Sequence, residues 1–184
     1  MFIQTEETPN PESLKFLPGR VVSEIGTHMF SQGETISERL PQQLLKVKDV
    51  EAVFFGYDFI TITKNKEALW PTLKPPILAE IMDHFTAGFP ALEGRAPQRD
   101  AEGEDEKDPL VRQIKELIET RVRPAVAMDG GDIIFDRFES GVVYLELRGA
   151  CSGCPSSTAT LKSGVENMLR HYIPEVKEVR ATHG

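Results

Sequence analysis

The two cysteines of the chain, Cys151 and Cys154, are the residues whose type and spacing most directly suggest chemistry. They stand three positions apart, and Ser152 and Gly153 between them permit a tight turn that points both sulfurs at one metal centre. Pro155 follows and is a favourable first residue of a helix, so we expect a helix N-terminus to face the sulfurs. Its partial positive charge favours the thiolate, which is the form that ligates metals.

A CxxC pair in a reducing compartment has four candidate roles. A redox dithiol of the thioredoxin type would follow the first strand of a βαβ unit, whereas the pattern before Cys151 indicates a hairpin. A zinc site needs four ligands, and besides the near-terminal His183 this part of the chain has only the distant His171. An iron–sulfur cluster also needs four ligands as a rule, and two copies of the chain supply them. The fourth role is that of two small buried apolar residues.

The ligand count makes the cluster hypothesis a prediction about assembly. Cys151 and Cys154 supply two ligands per chain, so the cluster must lie between two protomers, close to solvent. A cluster held by two short loops should be released easily to another protein, which suits a cluster carrier better than an electron-transfer protein. We also expect both cysteines to lie on a loop outside the apolar stripes, so that neither is needed for folding.

Other polar residues indicate structure more than chemistry. Asp129 and Asp132 enclose two glycines between a helix and a strand, which is typical of a turn. The four histidines are scattered and predict surface or packing positions rather than ligands. We therefore assign no catalytic residue. The histidines are His28, His84, His171 and His183.

The elements around the cysteines follow from the apolar pattern. Asp108 as N-cap and Pro109 as first residue predict an amphipathic helix that Pro124 ends. Two β-branched and aromatic runs, 133–138 and 142–148, predict a hairpin before the cysteines. The apolar face of the helix comprises Val111, Ile114, Ile118 and Val122, and the core face of the second strand comprises Val143, Leu145 and Leu147.

A second helix after the cysteines completes this half of the chain. Its apolar face is Leu161, Val165, Met168 and Leu169, and Pro174 stops it. A short run from Val176 to Val179 predicts a third strand. The second half of the chain is thus expected to be α-β-β-α-β.

The first half predicts another α+β domain. We expect a strand near 2–5, extended segments at 13–16 and 20–22, and a strand pair at 50–55 and 58–64. Helices are expected near 37–45 and 77–85, with Trp70 anchoring the last helix. Residues 94–108 hold no large aliphatic or aromatic side chain and contain an acidic run, which is typical of a solvated linker. We therefore expect two small α+β domains, 1–90 and 108–184, joined by a flexible acidic linker at 91–107.

Charge and composition exclude some functions. The net charge is −8, residues 1–108 are net acidic and residues 109–184 are neutral, so the basic surface that nucleic-acid binding requires is missing. The sequence has no run of about 18 apolar residues, so it predicts no membrane-spanning helix. The first residues carry Glu6 and Glu7 and no arginine before Arg20, unlike a secretory signal or a mitochondrial presequence. We expect a cytoplasmic bacterial protein, or a mitochondrial matrix protein if the chain is a processed form.

Several motifs together resemble the NifU-like (Nfu) iron–sulfur cluster scaffold and carrier family. In the second half these are Arg123-Pro124, Asp129-Gly130-Gly131-Asp132 and the run from Cys151 to Ser157. In the first half, the runs from Thr5 to Phe16 and from Val53 to Ile62 look like the family's N-terminal domain. The resemblance covers the whole chain except the linker. Because no cysteine precedes Cys151, the chain resembles the shorter, general-purpose branch of the family.

This resemblance implies a non-enzymatic function. A [4Fe-4S] cluster, or [2Fe-2S] in some states, would be bound between two protomers by Cys151 and Cys154 and delivered to apo iron–sulfur proteins. Upstream assembly proteins would be further partners, and the first domain would recognise partners. The alternative is a dithiol–disulfide oxidoreductase that uses the same two cysteines.

Overall fold

Two α+β units make up the chain, and the computed structural model describes residues 1–93, 108–152 and 155–182 of it. The units are Met1–Gln98 and Arg99–Gly184, and each has its own apolar core. The predicted fold class is confirmed. The predicted linker lies largely outside the described residues, and at its start Ala91 and Leu92 still pack against the first core. The domain limits therefore stay predictions.

Alternating apolar residues build a five-stranded antiparallel sheet in the first unit. Its spatial order is β1-β2-β5-β4-β3, and helices α1 and α2 complete the unit. The strands are β1 (Gln4–Glu7), β2 (Ser13–Leu17), β3 (His28–Ser31), β4 (Val50–Phe55) and β5 (Ile60–Lys64), and the helices are α1 (Arg39–Lys46) and α2 (Trp70–Thr86).

Helix α2 begins at Trp70, seven residues before the predicted start, and contains Pro75 and Pro76. Its buried residues recur every fourth position, at Leu73, Ile77, Ile81 and Phe85. Burial contributes about 1.5 to 3 kcal/mol for each such side chain, which offsets the roughly 3 kcal/mol that an interior proline costs. The indole Nε1 of Trp70 donates to the carbonyl of Pro11 at 3.1 Å, so the start of α2 is tied to the turn before β2.

The first helix of the second unit does not end at Pro124 as predicted. Helix α3 (Pro109–Leu117) continues through a π-helical turn (Ile118–Val122) into α4 (Arg123–Met128). In the π-helical turn the N–H of Arg123 bonds to the carbonyl of Ile118, five residues back. This shift accommodates a proline, which has no N–H and would crowd the carbonyl four residues back. At the other end Asp108 caps the N–H of Leu110 at 2.9 Å, as predicted.

A three-stranded sheet forms the rest of the second unit, in the order β6-β7-β8. Its strands are β6 (Gly131–Glu139), β7 (Val142–Gly149) and β8 (Glu178–Thr182), and helix α5 (Pro155–Tyr172) connects β7 to β8. Strands β6 and β7 form the predicted hairpin, and β8 pairs in parallel with β7. The α-β-β-α-β order is confirmed, with β8 two residues later than its predicted start.

The core of this unit lies between the sheet and its helices. The predicted apolar face Val111, Ile114, Ile118 and Val122 is buried there. Val143 and Leu145 of β7 are buried as well, and Leu147 packs against them while partly exposed. One further member of this core is a cysteine, Cys151.

Candidate metal centre

The cysteine motif begins in a tight turn at the end of β7. Gly149, at a φ of 67°, ends the strand, and its carbonyl accepts hydrogen bonds from the N–H of Ser152 at 3.1 Å and the hydroxyl of Ser152 at 2.9 Å. The N–H of Ala150 donates to the carbonyl of Gly130 at 3.2 Å. Helix α5 begins at Pro155, as predicted. Cys154 lies outside the described residues, so only half of the predicted ligand pair is positioned.

Cys151 lies in the turn after β7, but it is buried, so the expectation that it lies outside the apolar core was wrong. The residue is 7% exposed and belongs to the core of the second unit. Gly131 makes room for it: a Cβ atom built on Gly131 would lie 2.6 Å from the sulfur of Cys151 and 2.8 Å from the carbonyl oxygen of Arg148. We call this position of the sulfur beneath Gly131 the sheltered position.

Burial also corrects the expected ionisation of this thiol. We expected the N-terminus of α5 to favour the thiolate. Instead, desolvation, together with the nearby negative charges of Asp129 and Asp132, raises the pKa of Cys151 from 9.0 to about 12. In the sheltered position Cys151 is therefore a neutral thiol at physiological pH, and a neutral thiol is not a metal ligand.

Asp132 is more than the turn residue that was predicted. The turn itself is present, since Gly130 has a φ of 80° and its N–H bonds to the carbonyl of Ala127. Asp132, however, is 3% exposed and lies in β6. Its two carboxylate oxygens accept hydrogen bonds from Nε and Nη2 of Arg123, each at 2.9 Å, and Oδ1 also accepts from the N–H of Ile133 at 2.8 Å.

Arg123 joins this carboxylate to a second one. Its Nη1 donates to Glu119 at 2.6 Å, one turn earlier in the helical run. A bidentate guanidinium–carboxylate pair is among the stronger polar contacts, and removal of one partner leaves a buried charge, at a cost of about 3 to 5 kcal/mol. Arg123 and Asp132 thus pin the first residues of β6 to α4.

The structure describes three of the four histidines. His28 and His84 are buried in the first unit, where His84 Nε2 contacts the carbonyl of Pro90 at 2.8 Å. His171 makes an edge-to-face contact with Tyr172, with ring centroids 5.0 Å apart, and His183 lies outside the described residues. Within residues 1–93, 108–152 and 155–182, no three His, Cys, Asp or Glu side chains gather as a metal site.

In the part of the chain that the structure describes, no helix is both long and apolar enough to cross a bilayer.

Two family models match the chain, one in each unit. The first is described as "Scaffold protein Nfu/NifU N terminal" and matches residues 3–88. The second is described as "NifU-like domain" and matches residues 114–180, which include the cysteine motif.

Relatives that align with nearly the whole of this chain are about half identical to it in sequence. A protein of Drosophila ananassae named "NFU1 iron-sulfur cluster scaffold homolog, mitochondrial" is 52% identical over 181 residues, which are 97% of this chain and 63% of that protein. The human protein of the same name is 51% identical over 97% of this chain and 71% of its own length. The chain thus spans a little under two thirds of the length of the fly relatives.

Solved structures match one portion of the chain at a time. A solution structure of a NifU-like protein from Saccharomyces cerevisiae covers 52% of this chain and 87% of its own, with 24% identity and a TM-score of 0.48. The crystal structure of protein SAV1430 from Staphylococcus aureus covers 44% of this chain and 99% of its own, with 26% identity and a TM-score of 0.40.

Proposed function

Because the chain belongs to the NifU-like (Nfu) family, we propose that it is an iron–sulfur cluster scaffold that holds a cluster and passes it to other proteins. The observation that carries this proposal is the 51–52% identity, over 97% of the chain, to proteins named as iron–sulfur cluster scaffolds. Both units take part in that similarity. The cluster is cargo, and the chain's own contribution is to ligate it, shield it and release it.

The proposed ligands are the thiolates of Cys151 and Cys154. Soft thiolates are the donors that iron–sulfur clusters take, and four are needed as a rule. The chain has two cysteines, so two protomers complete the set and the loaded form is a homodimer. The cluster proposed is [4Fe-4S], with [2Fe-2S] as a second state.

Delivery is proposed to be a ligand exchange without a catalytic residue. A thiolate of the acceptor protein takes the place of Cys151 or Cys154 on iron, and the released cysteine takes up a proton. The high pKa of Cys151 in its sheltered position favours that protonation, and so favours release. Acceptors would be apo iron–sulfur proteins, and upstream assembly proteins would supply the cluster.

The compartment is part of the same proposal. The relatives carry "mitochondrial" in their names, so the mitochondrial matrix is the compartment proposed for a chain of eukaryotic origin. For a bacterial chain the counterpart is the cytoplasm.

Anaerobic reconstitution with iron and sulfide tests the function. We expect about four iron and four sulfide per two chains, with the native mass of a dimer, as a bridging [4Fe-4S] cluster requires. Cys151→Ser and Cys154→Ser should each abolish uptake, whereas Arg137→Gln should load normally because its ion pairs lie at the other end of β6.

The oxidoreductase alternative predicts a different result. It requires a monomer that takes up neither iron nor sulfide and cycles a Cys151–Cys154 disulfide at a physiological potential, which would overturn the scaffold proposal.

A further inference from the structure

The sheltered position of Cys151 conflicts with its proposed role as a ligand. The sulfur is packed among core side chains and against Gly131, and the carbonyl of Arg148 closes the same space. A cluster shared between two chains needs the sulfur at the surface.

We infer that the thiol of Cys151 has two positions, sheltered in the cluster-free chain and outward when it ligates a cluster, and that the Arg123–Asp132 ion pair holds it sheltered. The inference rests on the proposed function for the outward position. The sheltered position stands on the geometry alone. In this arrangement Gly131, Arg123 and Asp132 are positioning residues, since they act through the cysteine.

A series of short contacts connects the Arg123–Asp132 ion pair to the sulfur of Cys151. Arg123 of α4 holds Asp132 at two oxygens, and Asp132 is the neighbour of Gly131, which covers the sulfur. Gly131 pairs directly with Gly149 across the hairpin. The carbonyl of Gly130 accepts the N–H of Ala150, so the turn with Cys151 is tied to the same glycines.

The far side of the turn is held as well. The hydroxyl of Thr158 in α5 donates to the carbonyl of Cys151 at 3.0 Å. Movement of the sulfur outward therefore requires a local opening of the 149–152 turn away from the Asp129–Asp132 turn, without unfolding of the unit. Such openings have free energies below that of global unfolding.

Thiol modification of the cluster-free chain tests the sheltered position. In full-length Cys154→Ser, Cys151 is the only thiol, and its reaction with the uncharged disulfide 4,4′-dithiodipyridine releases one thiopyridone per cysteine. We expect the native chain to react on the order of a hundredfold more slowly than the same chain in guanidinium, after correction with free cysteine in each solvent. Equal rates would overturn the inference.

The same assay tests the ion pair. In the Cys154→Ser background, Asp132→Asn and Arg123→Gln should each speed modification by about tenfold or more, since a charged hydrogen-bonded pair is lost. Arg137→Gln is the matched control, because it removes an arginine that bridges Asp136 and Glu139 at the other end of β6. Rates unchanged from this control would overturn the role of the pair, and thermal melts identify any variant that is unfolded.

A double-mutant cycle tests the contact with Gly131. Gly131→Ala should destabilise the cluster-free chain less when Cys151 is already alanine, because the sulfur that the new Cβ would strike is then absent. Additive effects in guanidinium unfolding would contradict the contact. None of these measurements needs iron, so the two proposals can fail separately. If the thiol of Cys151 is protected but the chain binds no cluster, the proposed function is refuted and the sheltered position is supported. If the chain binds a cluster but the thiol is not protected, the sheltered position is refuted and the proposed function is supported.

Discussion

At the scale of the residue, the chemistry of Cys151 depends on where its sulfur lies. In the core its thiol is protonated and in contact with Gly131, and as a ligand it has to be a thiolate at the surface. The difference between the two states is a proton and a local movement. In the proposed scaffold, uptake of a cluster would therefore be coupled to loss of a proton from the buried thiol of Cys151.

This coupling predicts how stability depends on pH. The pKa of Cys151 is raised in the folded state, from 9.0 to about 12, so its contribution to stability is fully present below pH 9 and is lost as the pH rises through about 12. In the Cys154→Ser background, the free energy of unfolding should fall with pH in this window by up to about 1.4 kcal/mol per unit more than in the same chain with Cys151→Ala. Guanidinium titrations from pH 8.5 to 11 measure both slopes, and equal slopes would contradict the shift.

Residue types and spacing single out the cysteine motif, but they could not predict the burial of Cys151. Cys151 and Cys154 stand out by spacing, and the turn at Gly130 follows from its composition. The pairing of Arg123 with Asp132 could not be predicted from spacing, because the two are brought together by the π-helical turn and the start of β6. The sheltered position of Cys151 beneath Gly131 was also missed, because it depends on the register of the β6–β7 hairpin.

At the scale of the element, the β6–β7 hairpin positions the site by fixing which residues face each other. Ser140 and Gly141 both have positive φ, of 53° and 80°, which is the type I′ turn that suits a two-residue hairpin. The carbonyl of Gly141 also accepts the N–H of Lys177 at 2.7 Å, so the turn is tied to the segment that enters β8.

Two glycine substitutions of opposite effect test this account. Gly141→Ala should destabilise the second unit by about 1 to 2 kcal/mol, because its φ is unfavourable for alanine and its Cβ would lie 2.9 Å from the Lys177 side chain. Gly164→Ala, in the middle of α5 with nothing within 4 Å, should stabilise it by about 0.5 to 1 kcal/mol. Chemical unfolding of the two variants should shift in opposite directions.

Elements with clear periodicity were predictable and those decided by tertiary contacts were not. The hairpin and α5 follow from alternating and helical apolar patterns. Strand β3, only four residues long with a buried His28, was missed. Of the two segments expected to be extended, 13–16 forms part of a strand and 20–22 does not. The helix through Pro124 was missed because a π-helical turn leaves no local signal.

At the scale of the whole molecule, the chain has two cores that share no member. The first is built around the five-stranded sheet and α2, and the second around the three-stranded sheet with its helices. Each is small, and each is formed by residues of its own sheet and its own helices. The cysteines belong to the second unit alone, so ligation and the proposed partner recognition are assigned to separate units.

Separate cores predict separate folding. Residues 1–93 and 108–184, expressed as two polypeptides, should each unfold cooperatively, with midpoints within a few degrees of the two transitions of the full chain. Differential scanning calorimetry of the three polypeptides makes the comparison. A fragment 108–184 that shows no cooperative transition would mean that the second unit needs the first in order to fold.

The hydrogen bond from Trp70 to Pro11 has a practical consequence for spectroscopy. Trp70 is the chain's single tryptophan, and it sits at the junction of α2 and the turn before β2, in the unit without cysteines. Its emission therefore reports on the first unit, whereas the absorbance of a bound cluster would report on the second. Quenching of the Trp70 emission when the chain takes up a cluster would therefore depend on the distance between the cluster and the indole. It can be measured by fluorescence on the unlabelled protein.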